Sequence, residues 1–477
     1  MNAQILRLFG VVVILFALLI VFTTRWTVID ATALNNNPLN ARQKIDALKI
    51  KRGRILADDG KVLAKSVGVK GGFFKRAYPT GPLFAQPIGY DNLFTGSAAG
   101  LEHYRASVLR GLETGLSSVF GPLGGGKRVG DDLVTTLDPK AQELARQQLA
   151  GRAGSVVALD PRTGAVLAMY SNPSYDDNNP SPKHPCTDAC QLNRATQGQY
   201  PPGSTFKIVT ATAAIDSGRY TPNSLVNGNS PKTISGVPLQ NDNNQSFGPI
   251  TLTKALTYSV NTVWAQVAEK VGRPTMTEYM KRFGFYAKPP IDLPPGELGS
   301  SRPYDFKGHP FAPGSPNEDI GRIAIGQGGL LVTPLQMAMV AAAVANHGTL
   351  MAPRLSLKAV DQDGRTVQTF APAVYRQVMK PAVAAEINQM MRTVVDEGTG
   401  QAAQLGSGIS FAGKTGTASI GPTGAGETQP WFIGFAPADH PKVAVAVTIE
   451  KTQGEFGGQV AAPIARSVVQ TLLAEGK

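Results

Sequence analysis

The hydrophobic pattern divides the chain before any catalytic residue is considered. Residues 5–24 are apolar apart from Arg7, a run of 20 residues. That is enough to cross ~30 Å of hydrocarbon as a helix. Ala31-Thr32-Ala33 has the look of a signal-peptide cleavage site, but it lies too far beyond the apolar core at 18–22, so an uncleaved anchor is expected. A second apolar run does not follow, which puts the remainder on one side of the membrane. Arg7 favours a cytoplasmic N-terminus, while Arg25 and the basic residues between Arg42 and Arg54 oppose it. Large domains translocate regardless of such charges.

After the turn-rich linker Asn35-Asn36-Asn37-Pro38, residues 39 to about 130 are polar, Gly-rich and without long amphipathic periods. Residues 55–64 predict a hairpin around Asp59-Gly60. From Asp131 the texture changes. Residues 134–137 predict a strand, 139–149 a helix capped by Asp138, and 155–159 with 165–170 a second hairpin turning at 161–164. Strands at 431–436 and 442–450 and a helix at 461–474 close the chain. The pattern predicts an α+β protein in three parts: an anchor (1–30), an extended β-rich module (31–130), and one large domain (131–477) with a mostly antiparallel sheet flanked by helices.

Composition narrows the class. Hydrophobic residues are 42% and charged residues 17%, a globular balance. Lys+Arg exceed Asp+Glu by 46 to 34, a net charge of +12 that suits an anionic surface or an acidic substrate. Without a basic run interleaved with aromatics, nucleic acid is not expected as a partner. Two cysteines exclude a disulfide scaffold and a cysteine zinc cage. Cys186 and Cys190 would close a very short loop, so a bridge and two free thiols stand as alternatives. The five histidines lack ligand spacing, and no metal or cofactor is expected. Residues 121–127 match the opening of a phosphate-binding loop. However, Arg128 stands where that loop needs Ser or Thr, and Pro122 interrupts it, so a connector is the better reading.

Three short motifs carry chemistry. Pro201-Pro202-Gly203 halts the preceding segment, and an almost wholly apolar, hence buried, helix follows to Ile215. Ser204 then sits in its first turn with Lys207 one turn on, on the same face. A lysine buried in an apolar helix loses pKa, becomes neutral and can act as base for the serine hydroxyl. After a helical stretch at 250–256, Ser259 and Asn261 stand two apart in a short turn, a hydroxyl to shuttle a proton and an amide to hold a substrate amide. Residues 410–418 predict a strand in which Lys414 supplies a fixed positive charge, Thr415 and Thr417 supply hydroxyls, and Gly416 admits another backbone.

Each motif alone is weak. In this order, S-x-x-K, S-x-N and K-T-G resemble the active-site triplet of penicillin-binding proteins and serine β-lactamases. The resemblance extends along the chain. Arg52-Gly53-Arg54-Ile55, Asp59-Gly60, Leu63-Ala64, Tyr78-Pro79 and Gly100-Leu101-Glu102-His103-Tyr104 are similar to the N-terminal domain of class B penicillin-binding proteins. Ala324-Ile325-Gly326-Gln327-Gly328 and Thr333-Pro334-Leu335-Gln336 are similar to their catalytic domain. The short form with few insertions is most like the actinobacterial A type.

The resemblance implies a β-lactamase-like transpeptidase domain and a dimerisation-type N-terminal module. It implies that Ser204 is acylated by the D-Ala-D-Ala end of a peptidoglycan stem peptide, with Lys207 as base and Ser259 as proton relay. Asn261 would hold the substrate amide, while Lys414, Thr415 and Thr417, with Gly416 between them, would hold the terminal carboxylate. The backbone N–H groups of Ser204 and Thr417 would form the oxyanion hole. β-Lactams would acylate the same serine. Lipid-linked precursor, the membrane and a SEDS-type polymerase are the implied partners, with the catalytic domain extracytoplasmic. A D,D-carboxypeptidase would use the same residues with water as acceptor. A β-lactamase would need a way to activate that water, and the Glu-x-x-Leu-Asn string of class A enzymes is absent. A non-enzymatic scaffold or β-lactam sensor is the remaining alternative.

Overall fold

The fold is described by a computed structural model for residues 2–30, 41–92, 95–112, 129–180, 189–406, 408–420 and 426–477. The phosphate-loop look-alike at 121–127 and Cys186 fall outside the described residues. Asn2–Thr24 is α-helical and continues as a π-helix over Arg25–Ile29. The apolar span Ala3–Ile29 covers 27 residues, reaches a mean hydropathy of 3.0, and none of it is buried against protein. Length and composition suffice for one membrane crossing.

The catalytic part is built on one antiparallel sheet. Its strands run in the order Ala412–Ser419, Glu427–Ala436, Val443–Ile449, Gly154–Leu159 and Val166–Asn172, with Thr452–Gln453 alongside Glu427–Ala436. Alternate residues enter two separate cores. Val157, Met169, Ile433 and Ala446 face the wholly buried helix Pro334–Ala345. Val156, Tyr170, Val445 and Val447 face the helices Pro139–Leu149 and Gly457–Ala474. Burial on both faces explains why the strand segments read as continuous apolar runs instead of alternating ones. Helix Pro139–Leu149 has its expected bounds, and Asp138 Oδ1 accepts the N–H groups of Lys140 and Ala141 at 2.9 Å.

One expected helix is shorter than its apolar pattern. Pro249–Thr251 is a strand paired with Leu225–Asn227, and the helix is Leu252–Thr257. The reason is local. Ile250 pairs with Val226, and the Thr251 hydroxyl caps the helix by accepting from Lys254 N at 3.3 Å.

A second sheet joins distant parts of the chain. Its order is Thr366–Thr369, Ser356–Val360, Asp132–Thr135, Ile55–Leu56, Val62–Val69 and Phe73–Ala77. Ile55 and Leu56 lie parallel to Leu133 and Val134, while Ser356–Val360 lies antiparallel to the same strand. The β-rich module and the large domain therefore share a sheet. The sequence motifs around Arg52 and Glu102 meet beside it. Buried Arg52 donates from Nη2 to Glu102 Oε2 at 2.7 Å and also pairs with Asp91. Arg76 Nε donates to Glu102 Oε1 at 2.7 Å.

Candidate active site

Ser204 lies in a tight 3-10 turn, Gly203–Phe206, which feeds the helix Lys207–Asp216. In a 3-10 turn, side chains three residues apart eclipse. This brings Lys207 Nζ to 2.9 Å from Ser204 Oγ, closer alignment than an ordinary first helical turn would give. Two tight approaches fix the turn. A Cβ on Gly326 would run into Gly203 O, and Gly203 N donates to Gly326 O at 3.1 Å. A Cβ on Gly416 would stand 2.7 Å from Pro202 O and 2.9 Å from Thr205 Cγ2, so the glycine admits the backbone of the turn as its sequence position suggested.

The three motifs converge on two buried lysine side chains. Besides Ser204, Lys207 Nζ lies 2.7 Å from Ser259 O, 2.7 Å from Asn261 Oδ1 and 3.2 Å from Ser259 Oγ. Lys414 Nζ lies 3.0 Å from Ser259 Oγ and donates to Thr415 O at 3.0 Å. Ser259 thus bridges the two lysines. Its φ is +59°, a left-handed conformation that ends helix Leu252–Thr257 and lets Asn261 open helix Asn261–Val271 into the same site.

Both lysines are 0% exposed. Burial pulls Lys207 well below the usual lysine range, the nearby charge of Lys414 adds to this, and Asp242 opposes it. Burial brings Lys414 down to about 7, again against Asp242. The positive charge expected at Lys414 is one that this burial disfavours. Ser259 O and Asn261 Oδ1 can only accept, so they take two N–H bonds from Lys207 Nζ, and Ser204 Oγ stands within reach of its third position.

Ala412–Ser419 is an edge strand. Ile420 N donates to Glu427 O at 3.0 Å, so the N–H groups that point to the neighbouring strand belong to residues an even number away. Thr417 is an odd number away and faces Pro430, which has no N–H to give. Its N–H therefore points out of the sheet, on the edge where the Gly203–Phe206 turn packs. The Ser204 N–H is in the first turn of a helix and has no intrahelical acceptor. Thr415 Oγ1 and Thr417 Oγ1 line the same cleft of roughly 390 Å³ as Ser204, Ser259 and Asn261. Thr415 Oγ1 is 2.6 Å from Thr399 Oγ1, and Thr417 Oγ1 accepts from Gly457 N at 3.1 Å.

All the sequence-read motif residues are brought together here: Ser204, Lys207, Ser259, Asn261, Lys414, Thr415, Gly416 and Thr417. The sequence reading missed Thr399, Asp242 and Trp431, whose indole N–H donates to Pro201 O at 2.9 Å. None of the three lies in a motif; only the tertiary fold brings Thr399 and Asp242 to the cleft and Trp431 beneath the turn that carries Ser204. Cys190 is buried, 7% exposed, and does not line this cleft.

Two buried lysines, a turn-borne serine and a K-T-G edge strand on a sheet between helices define a class: the chain belongs to the penicillin-binding protein transpeptidase family. The penicillin binding protein transpeptidase domain matches residues 154–470, and the penicillin binding protein A dimerisation domain matches residues 52–120. Among individual proteins, the chain is 33% identical over 513 aligned positions to the peptidoglycan D,D-transpeptidase PbpA of Mycolicibacterium smegmatis, covering 100% of both. It superposes with a TM-score of 0.79 on penicillin-binding protein A from Mycobacterium tuberculosis in a ceftriaxone acyl-enzyme complex, at 30% identity, covering 90% of this chain and 100% of that one. The penicillin G acyl-enzyme of the same protein gives 0.76 at 30% identity, covering 89% and 99%.

Proposed function

We propose that the chain is a serine-type peptidoglycan D,D-transpeptidase that cross-links stem peptides and is a target of β-lactams. The observation that carries this reading is Lys207 Nζ, held 2.9 Å from Ser204 Oγ in a site whose burial pulls the lysine well below its usual range. In the proposed reaction Ser204 Oγ attacks the carbonyl between the two terminal D-Ala residues as Lys207 takes its proton. The oxyanion of the tetrahedral intermediate is met by the N–H groups of Ser204 and Thr417. Ser259, between the lysines, passes the proton to the leaving D-Ala nitrogen, and the C–N bond breaks to leave an ester on Ser204. The amine of a neighbouring stem then attacks that ester, losing its proton through the same relay, and restores the Ser204 hydroxyl.

Binding follows from what remains free. Asn261 Nδ2 spends one N–H on Gln240 O at 3.2 Å, which leaves one for the substrate amide. The hydroxyls of Thr415 and Thr417, backed by Lys414, receive the terminal carboxylate. The apolar span at Ala3–Ile29 supports a single-pass anchor with the catalytic domain outside the cytoplasm, near its lipid-linked precursor. Family resemblance supports a SEDS-type polymerase as partner of the N-terminal module. Cys190 is disulfide-bonded and Cys186 is the other cysteine of the chain, which supports a Cys186–Cys190 bridge in that oxidising compartment.

Incubation with lipid-linked peptidoglycan and an acceptor amine, followed by product analysis, tests the reaction type. Cross-linked dimer is expected. Release of D-Ala with no dimer would assign a D,D-carboxypeptidase instead.

A further inference from the structure

The cleft has one carboxylate that the proposed reaction does not use. Among the described residues lining it, Asp242 is the only charged one. It is exposed, and no hydrogen bond or ion pair from a described residue occupies its carboxylate oxygens. Its position is nevertheless fixed. The neighbouring Asn241 is buried, donates from Nδ2 to Gly228 O at 3.0 Å and Gln245 O at 2.8 Å, and accepts from Thr262 N at 2.9 Å. The loop is also tied to the site itself, because Gln240 O accepts from Asn261 Nδ2.

An unpaired carboxylate is an odd neighbour for a substrate that ends in a carboxylate. Its charge reaches both Lys207 and Lys414. It costs affinity for a purely anionic peptide unless that peptide brings a cation to it. The proposed binding mode supplies one. With the terminal carboxylate on Thr415 and Thr417 and the preceding amide on Asn261, the upstream part of the peptide runs past Asn261 towards the loop that carries Asp242. A stem that serves as acceptor must carry a free amine. Donor and acceptor stems have the same build, so the donor carries that amine too, protonated at neutral pH.

We infer that Asp242 binds the side-chain ammonium of the donor stem peptide, one step upstream of its D-Ala-D-Ala end. Asp242 is thereby a specificity residue for the donor, an inference that rests on the transpeptidase reading above. An exposed ion pair of this kind is worth up to about five-fold in rate or affinity.

The test compares two peptide esters ending in D-Ala-D-lactate, one with its diamino-acid side chain free and one with that amine acetylated. The rate of Ser204 acylation by each is measured on the full-length protein in detergent. The ratio between the two esters cancels any change that a substitution makes to the lysines themselves. Wild type is expected to prefer the free amine by about five-fold, and added salt to shrink the preference. Asp242→Glu should keep the preference, Asp242→Asn should bring the ratio to about one, and Asp242→Lys should invert it. A wild-type ratio of one, or an unchanged ratio in Asp242→Asn, overturns the assignment. Failure of both esters to acylate wild type breaks the transpeptidase reading, and the role of Asp242 falls with it.

Discussion

Lys207 shows how far a single residue can be read from sequence. Its spacing from Ser204 and its place in an apolar helix sufficed to expect it buried beside the serine, because both are local properties of the chain. What they left open was its hydrogen-bond inventory, which depends on Ser259 in a distant turn and Asn261 at the start of the next helix. Burial lowers the proton affinity of Lys207, so acylation of Ser204 is expected to fall as pH drops and Lys207 takes up a proton. Lys207→Arg, which stays charged at any accessible pH, should slow penicillin acylation by at least about 100-fold. Stopped-flow acylation from pH 5 to 9 checks both. Lys414 is wholly buried, which nothing local in the sequence signals. Its folded pKa of about 7 lies below its unfolded value of 10.5. Between these, the unfolded chain binds more protons, so this residue makes stability rise with pH through that window. In urea titrations at pH 7, 8 and 9, Lys414→Met should flatten that rise.

At the scale of elements, the site depends on a turn pressed against an edge strand. Gly416 gives that contact its closeness, and the K-T-G string showed it because only glycine suits such an approach. Gly416→Val should push the Gly203–Phe206 turn off the strand and separate Ser204 from the Thr417 N–H. A displacement near 1 Å is enough to cost about 100-fold in acylation. Acylation kinetics alongside a thermal melt would show the loss, with a lowered Tm and residual folded protein. Elements with a strong local cap, such as Pro139–Leu149 behind Asp138, were legible to the residue. The segment 250–256 was not, because its first residues are taken into a strand by Leu225–Asn227, a partner that helical periodicity cannot reveal. The approach of Thr399 to Thr415 was equally hidden, since it joins two segments through tertiary packing alone.

For the whole molecule, the shared sheet and the buried ion network make the N-terminal module part of one structure with the transpeptidase domain. The motifs at Arg52 and Glu102 were legible as strings, yet the strings did not show that they pair with each other, nor that Asp132–Thr135 would lie between strands from both parts. Arg52 loses partners on two acids if truncated. Arg52→Ala leaves Glu102 and Asp91 buried with fewer counter-charges, which should cost about 3–5 kcal/mol. Chemical denaturation of a protein lacking residues 2–30, with and without the substitution, measures it. That shortened protein should itself stay soluble without detergent, because the removed span is the exposed apolar surface a membrane would cover.

The central claim is that Ser204 is the nucleophile of a penicillin-binding transpeptidase. Intact-mass spectrometry after incubation with penicillin G tests it most directly, on wild type and Ser204→Ala side by side. One added penicillin per wild-type chain, persisting for many minutes, is expected, and none on Ser204→Ala. An unmodified wild type, or an equal adduct on Ser204→Ala, would contradict it.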